Sequence, residues 1–159
     1  MDLFDFTQPG ALDGWTAQGA AAIVQAAGAV VYQGGEGQVL SPALAWDLGA
    51  FNGIRLRVRG DGGRYGLMLH CSGRGGLVYR GLFEALTGEW STVTLAFGAF
   101  KPQVRGSRWL RRFLPRVNAR AIVACGFACD AVVFRLEIER VWAYEVGAIT
   151  DPIPVEFQG

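Results

Sequence analysis

Apolar and polar residues alternate along most of this chain with a period of two, the spacing of strands with one buried face. Ile54-Arg55-Leu56-Arg57-Val58-Arg59 is the clearest case, with Ile54, Leu56 and Val58 facing inward and three arginines facing outward. Gly60-Asp61-Gly62-Gly63 then reads as a hairpin turn, with Asp61 capping it, and Tyr65, Leu67, Leu69 and Cys71 share one face of the next strand. Leu77–Ala85 and Trp90–Phe97 are further strands, separated by a Gly88-Glu89 turn. Ile122–Cys129, Phe134–Glu139 and Val141–Tyr144 close the chain's strand pattern.

The amino-terminal third is less regular. Leu3-Phe4-Asp5-Phe6 fits an edge strand, Pro9-Gly10 turns the chain, and Trp15 is expected to pack back on the body. Ala22–Tyr32 reads as strand despite its alanines, and Gly34-Gly35-Glu36-Gly37 as the turn after it. Eight to ten strands with short connections, and no alternation with helices, predict an all-β fold, an antiparallel β-sandwich of jelly-roll type. A small barrel is the alternative. Residues 1–150 are expected to form one domain and 151–159 a tail.

Residues 101–120 break the rhythm. This stretch holds one lysine, six arginines and no acid, although the whole chain carries a formal net charge of only +1. Trp109, Leu110, Phe113, Leu114 and Val117 have helical spacing, but Pro115 interrupts it, so a long basic loop with a helical turn or two is predicted. Arg105, Arg108, Arg111, Arg112 and Arg116, with Trp109 among them, are the candidate contact residues: guanidinium groups pair with carboxylates or phosphates, and an aromatic supplies an apolar anchor. A protein partner is the reading preferred here. The near-neutral total charge and the lack of an RNA- or DNA-reading motif argue against nucleic acid, while contact with a membrane surface fits an aromatic-basic loop.

Composition supports a folded core, with 51% apolar residues and 23 glycines spread along the chain. Cys71, Cys125 and Cys129 make an odd count without a redox spacing, pointing to buried thiols in the cytoplasm or another reducing interior. No apolar run is long enough for a membrane span, and the start lacks a signal-peptide pattern. His70 is the single histidine, and its strand neighbour Cys71 points to the opposite face, so they make a poor dyad. No metal, cofactor or catalytic constellation is predicted. Hydrolysis through Glu84, Glu89 or Asp130 has no supporting geometry in the sequence. A carbohydrate-binding module is a competing reading, since Trp15, Trp46, Trp90, Trp109 and Trp142 could meet sugar faces; Trp90 and Trp142 sit in strand patterns that place them in the core.

Taken in order, several pieces resemble the complex I intermediate-associated protein 30 family. They are Leu3-Phe4-Asp5-Phe6 with Trp15, Leu56–Gly62 followed by Tyr65, Gly88-Glu89-Trp90, Phe97 with Phe100-Lys101-Pro102, Arg105-Gly106, Gly126-Phe127, and Phe134–Ile138 with Tyr144. The resemblance implies a galactose-binding-like jelly roll that acts as a non-enzymatic assembly factor or chaperone-like scaffold for a larger complex, respiratory or photosynthetic. It transfers no catalytic residues. After Trp15 the chain departs from the family's usual glycine-rich stretch and reads Thr16-Ala17-Gln18-Gly19-Ala20.

Overall fold

The computed structural model describes residues 1–73, 76–103 and 113–146. Ten strands follow one another: β1 (Asp2–Asp5), β2 (Thr16–Ala26), β3 (Ala29–Leu40), β4 (Gly53–Arg59), β5 (Arg64–Cys71), β6 (Val78–Glu84), β7 (Ser91–Ala96), β8 (Lys101–Pro102), β9 (Ile122–Cys129) and β10 (Phe134–Tyr144). Every named strand pair is antiparallel, and the path β7-β4-β10-β3-β9-β5-β6-β8 is continuous.

That path folds over at β3. Its first half, Val30–Gly34, pairs with β10, and its second half, Gly37–Leu40, pairs with β9. β3 thus belongs to two sheets that pack face to face as a sandwich. The alternating positions of β4 and β5 supply the core as their pattern predicts: Ile54, Leu56, Val58, Tyr65, Leu67 and Leu69 are fully buried. Rings from both sheets meet between them, with Tyr32 and Phe134 at 4.5 Å and Phe134 edge-on to Tyr65 at 5.9 Å. Trp15 packs against Phe4 and Phe6 and stacks on Phe127, so it does return to the body.

Gly34–Gly37 is not a turn. It lies inside β3, where a register shift between Gly19 and Ala21 of β2 marks the crossing from sheet to sheet. Glycine is needed here for close approach: at Gly34, with φ of +119°, a Cβ would fall 2.4 Å from the Ala20 carbonyl oxygen. The actual turn is Ala27-Gly28, where Gly28 has φ of +74°. Residues expected as two terminal strands form the single strand β10, with a shift between Ile138 and Arg140.

The basic stretch is described only in part. Its first residues pair with β6 as β8, and its end forms a 3-10 turn, Ala119–Ala121, capped by the Asn118 side chain. Residues 104–112 and the expected tail lie outside the described residues.

Candidate functional site

The outer face of the second sheet is built from the positions of β5, β6 and β9 that point away from the core. Gly66 lies opposite Ala128 and Met68 opposite Gly126, so the middle of this face has a low floor of small residues. β6 supplies Arg80, Leu82 and Glu84, beside Tyr79, Gly81 and Phe83 on its inner side. Phe100 packs under Gly81, where a Cβ would meet its ring at 2.7 Å, and this fixes β8 beside β6.

Two depressions follow β6 along this face. One, of about 440 Å3, is lined by Arg80, Leu82, Ala99, Lys101 and Gln103. The other, of about 540 Å3, is lined by Arg64, Leu82, Phe83 and Glu84. They meet at Leu82, which is 52% exposed, and form an elongated open groove. Its donors are long, planar or flexible, Arg64, Arg80, Lys101 and Gln103, and Glu84 adds a carboxylate acceptor. Arg64 and Glu84 face each other at 3.6 Å with both side chains largely solvated. Such a pair contributes little to stability and is free to exchange its partner.

Arg80 is held more firmly. Its stem crosses Gly66, where a Cβ would lie 2.5 Å from Nε. That Nε is buried without a hydrogen-bond partner, and one terminal nitrogen reaches exposed Asp130 only at 3.5 Å. An arginine so positioned keeps hydrogen-bonding capacity for a ligand oxygen. Among the described residues, the groove presents no exposed tryptophan, tyrosine or phenylalanine.

A smaller cavity of about 250 Å3 lies where the chain returns from residues 104–112, and is lined in part by Cys71, Tyr79, Arg116 and Asn118. The Tyr79 hydroxyl donates to the Pro115 carbonyl at 2.9 Å and to the Arg116 carbonyl at 3.4 Å, tying this segment to β6. Of the predicted contact residues, Arg116 is thus exposed at the sheet's end. Arg105, Arg108, Trp109, Arg111 and Arg112 lie outside the described residues.

The opposite face, on the first sheet, corrects the expectation for two tryptophans. Trp90 and Trp142 are half-buried on the surface, not in the core, because guanidinium groups cover them: Arg59 sits 4.9 Å from the Trp90 ring and Arg140 5.4 Å from the Trp142 ring. The cleft on this face, about 290 Å3, has its polar groups committed to one another. Arg59 and Arg135 both pair with Glu137, whose carboxyl is held below its usual range chiefly by the Arg59 hydrogen bond. Asp61 accepts from the Gly63 and Arg135 backbone N–H groups and the Tyr65 hydroxyl, so it caps its own turn as expected and also ties it to β10.

The residues that could carry chemistry stay apart. His70 lies on the outer face of β5 and Cys71 on the core side. Among the described residues, no three His, Cys, Asp or Glu side chains are grouped to hold a metal. The groove escaped sequence reading because three separate strands assemble it; the available signal was Arg80-Gly81-Leu82, an arginine and a leucine on the same outward face.

Residues 21–138 match the family described as complex I intermediate-associated protein 30. No curated protein matches the chain by sequence. Among solved structures, the Family 11 carbohydrate-binding module of a cellulosomal cellulase of Clostridium thermocellum aligns with a TM-score of 0.70 at 11% identity, covering 92% of this chain and 94% of that one. The same family's module in complex with a β-1,3-1,4-mixed-linked tetrasaccharide gives 0.67 at 12% identity, covering 91% and 94%. A Family 29 carbohydrate-binding module gives 0.61 at 14% identity, covering 99% and 94%. At these identities the likeness establishes the fold, a jelly-roll sandwich.

Proposed function

The chain belongs to the complex I intermediate-associated protein 30 family, and we propose that it works by binding, and that its ligand is a carbohydrate chain laid along the β6 groove. The observation that carries this reading is the groove's shape and lining: two joined depressions, open along their length, with Arg64, Arg80, Lys101 and Gln103 facing an apolar step at Leu82. Extended glycans present hydroxyl pairs that arginine and amide groups can grip, and apolar ring faces that rest on such a step. The fold shared with a module described in complex with a tetrasaccharide adds support by analogy alone.

Affinity electrophoresis against a panel of soluble polysaccharides, followed by calorimetry on any that retard the protein, tests it. Binding that weakens about tenfold or more in Arg80→Ala supports the groove. If no polysaccharide binds, the carbohydrate reading fails.

A second reading is favoured by the family's description, which names an assembly intermediate. In it the chain contacts a protein of a larger complex through Arg105, Arg108, Trp109, Arg111, Arg112 and Arg116, in a reducing compartment and with a membrane surface nearby. Replacing four of these arginines, Arg105, Arg108, Arg111 and Arg112, would then abolish co-purification of a stoichiometric partner while leaving glycan retardation unchanged.

A further inference from the structure

β2 is the outermost strand of both sheets. Over Thr16–Ala26 it pairs with β3 alone, and no backbone group of the described residues bonds to its far side. In an antiparallel strand every second residue turns its N–H and C=O outward, so this edge presents a row of donors and acceptors that no backbone group of the described residues meets. Exposed edges are usually blunted by lysine, other charges or proline. Between Thr16 and Ala26 there is no charged residue and no proline. The register shift at Gly19/Ala21 disturbs only the first half; Ala21–Ala26 pairs with β3 residue for residue.

We propose that this edge is a dimerisation edge and that its occupant is a second copy of the chain, paired antiparallel through β2 about a twofold axis at Val24. The side-chain pattern of the regular half selects both the occupant and the register. Ala22, Val24 and Ala26 point to the outer face, and Val24 is 44% exposed, the one large apolar side chain left there by the strand. Centring the pair on Val24 sets it against Val24 of the partner subunit and sets Ala22 against Ala26 of the partner subunit. Directly opposed side chains in an antiparallel pair lie about 4.5–5.5 Å apart at Cβ, so the two valines would cover each other and the alanines would fit without steric conflict. A copy of this strand brings no charge to the interface, so no ion is desolvated without a partner. The contact is isologous and uses up both β2 edges, so assembly stops at two.

The test is disulfide trapping in the full chain. Cys125 and Cys129 are buried, and Cys71, which lines a cavity, is replaced by serine in every variant, so Val24→Cys supplies the reactive thiol among the described residues. Mild oxidation is expected to convert most of the Val24→Cys protein to a covalent dimer. Ala22→Cys and Ala26→Cys are expected to cross-link when mixed and not when alone, which reports the register. By light scattering the unmodified chain should weigh twice its 17.1 kDa, and Val24→Lys, at a solvated position that leaves the fold intact by circular dichroism, should raise the dimer dissociation constant about tenfold or more. A monomer at every concentration overturns the proposal, including one that captures an unrelated extended peptide on this edge. So does a dimer that Val24→Lys leaves unchanged, or one whose Val24→Cys form does not cross-link.

Discussion

The hydroxyl of Tyr65 donates a 2.8 Å hydrogen bond to Asp61 Oδ1, so the residue that closes the β4–β5 turn also anchors a fully buried ring. The same hydroxyl lies 3.1 Å from the Arg135 carbonyl, and Asp61 accepts the Arg135 N–H. The turn that leads from β4 to β5 is thereby fastened to β10, the strand beside β4. Tyr65→Phe keeps the ring and removes the donor, and is expected to cost about 1.5 kcal/mol, the scale of a hydrogen bond to a charged group. Urea denaturation measures it; a loss under about 0.5 kcal/mol would show the hydroxyl to be well replaced by water.

His70 should make stability depend on pH above the carboxylate range. Burial on the outer face of β5 lowers its pKa from 6.5. The folded chain therefore binds fewer protons than the unfolded chain, and the associated stability is present above pH 6.5 and lost as the pH falls below it toward the lowered value. His70 is the only histidine, so His70→Asn should flatten the stability profile between about pH 7.5 and 5.5. An unchanged slope in the variant would assign the effect elsewhere.

The three thiols should differ in reactivity. Burial pushes Cys125 up to about 12, and its sulfur is fully enclosed. Cys71 is also raised by burial, but it lines an open cavity. With a thiol-specific disulfide reagent, Cys71 is expected to react first in the native protein and Cys125 only on unfolding. Peptide mapping of the labelled sites checks the order.

Gly34→Ala should be among the most damaging single-methyl additions. The new Cβ would fall 2.4 Å from the Ala20 carbonyl oxygen, at a φ that side chains disfavour. A loss of about 2–4 kcal/mol is expected, from strain added to the broken approach of β2. Gly28→Ala is the control: it meets nothing within 4 Å and carries only the cost of its φ, about 1 kcal/mol.

These glycines show where sequence reading succeeds and where it stops. The core faces of β4 and β5 were legible because a two-residue period is local: Ile54, Leu56 and Val58 must share a side whatever surrounds them. Gly34–Gly37 carries the same composition as a turn, and only the neighbouring strand reveals that the missing side chains make room for backbone. Trp90 and Trp142 were misplaced for a related reason. Their strand pattern fits burial, yet an arginine can shield a ring from outside as effectively as a core does from within. The β6 groove joins Arg64, Arg80 and Lys101, residues far apart in the chain, and strand order sets that meeting. The basic residues from Arg105 to Arg112 stand out by charge alone, which says what they could attract and not where they sit.

Because β3 is shared, neither sheet has a complete set of neighbours without the other. Pulling Val30–Gly34 away from β10 also drags on Gly37–Leu40 beside β9, and the strand cannot leave one partner while staying ordered against the next. The sandwich is therefore a single cooperative unit: it should melt in one step, with tryptophan fluorescence and backbone circular dichroism tracing the same curve, and with no half-folded species exposing a bare sheet to aggregation.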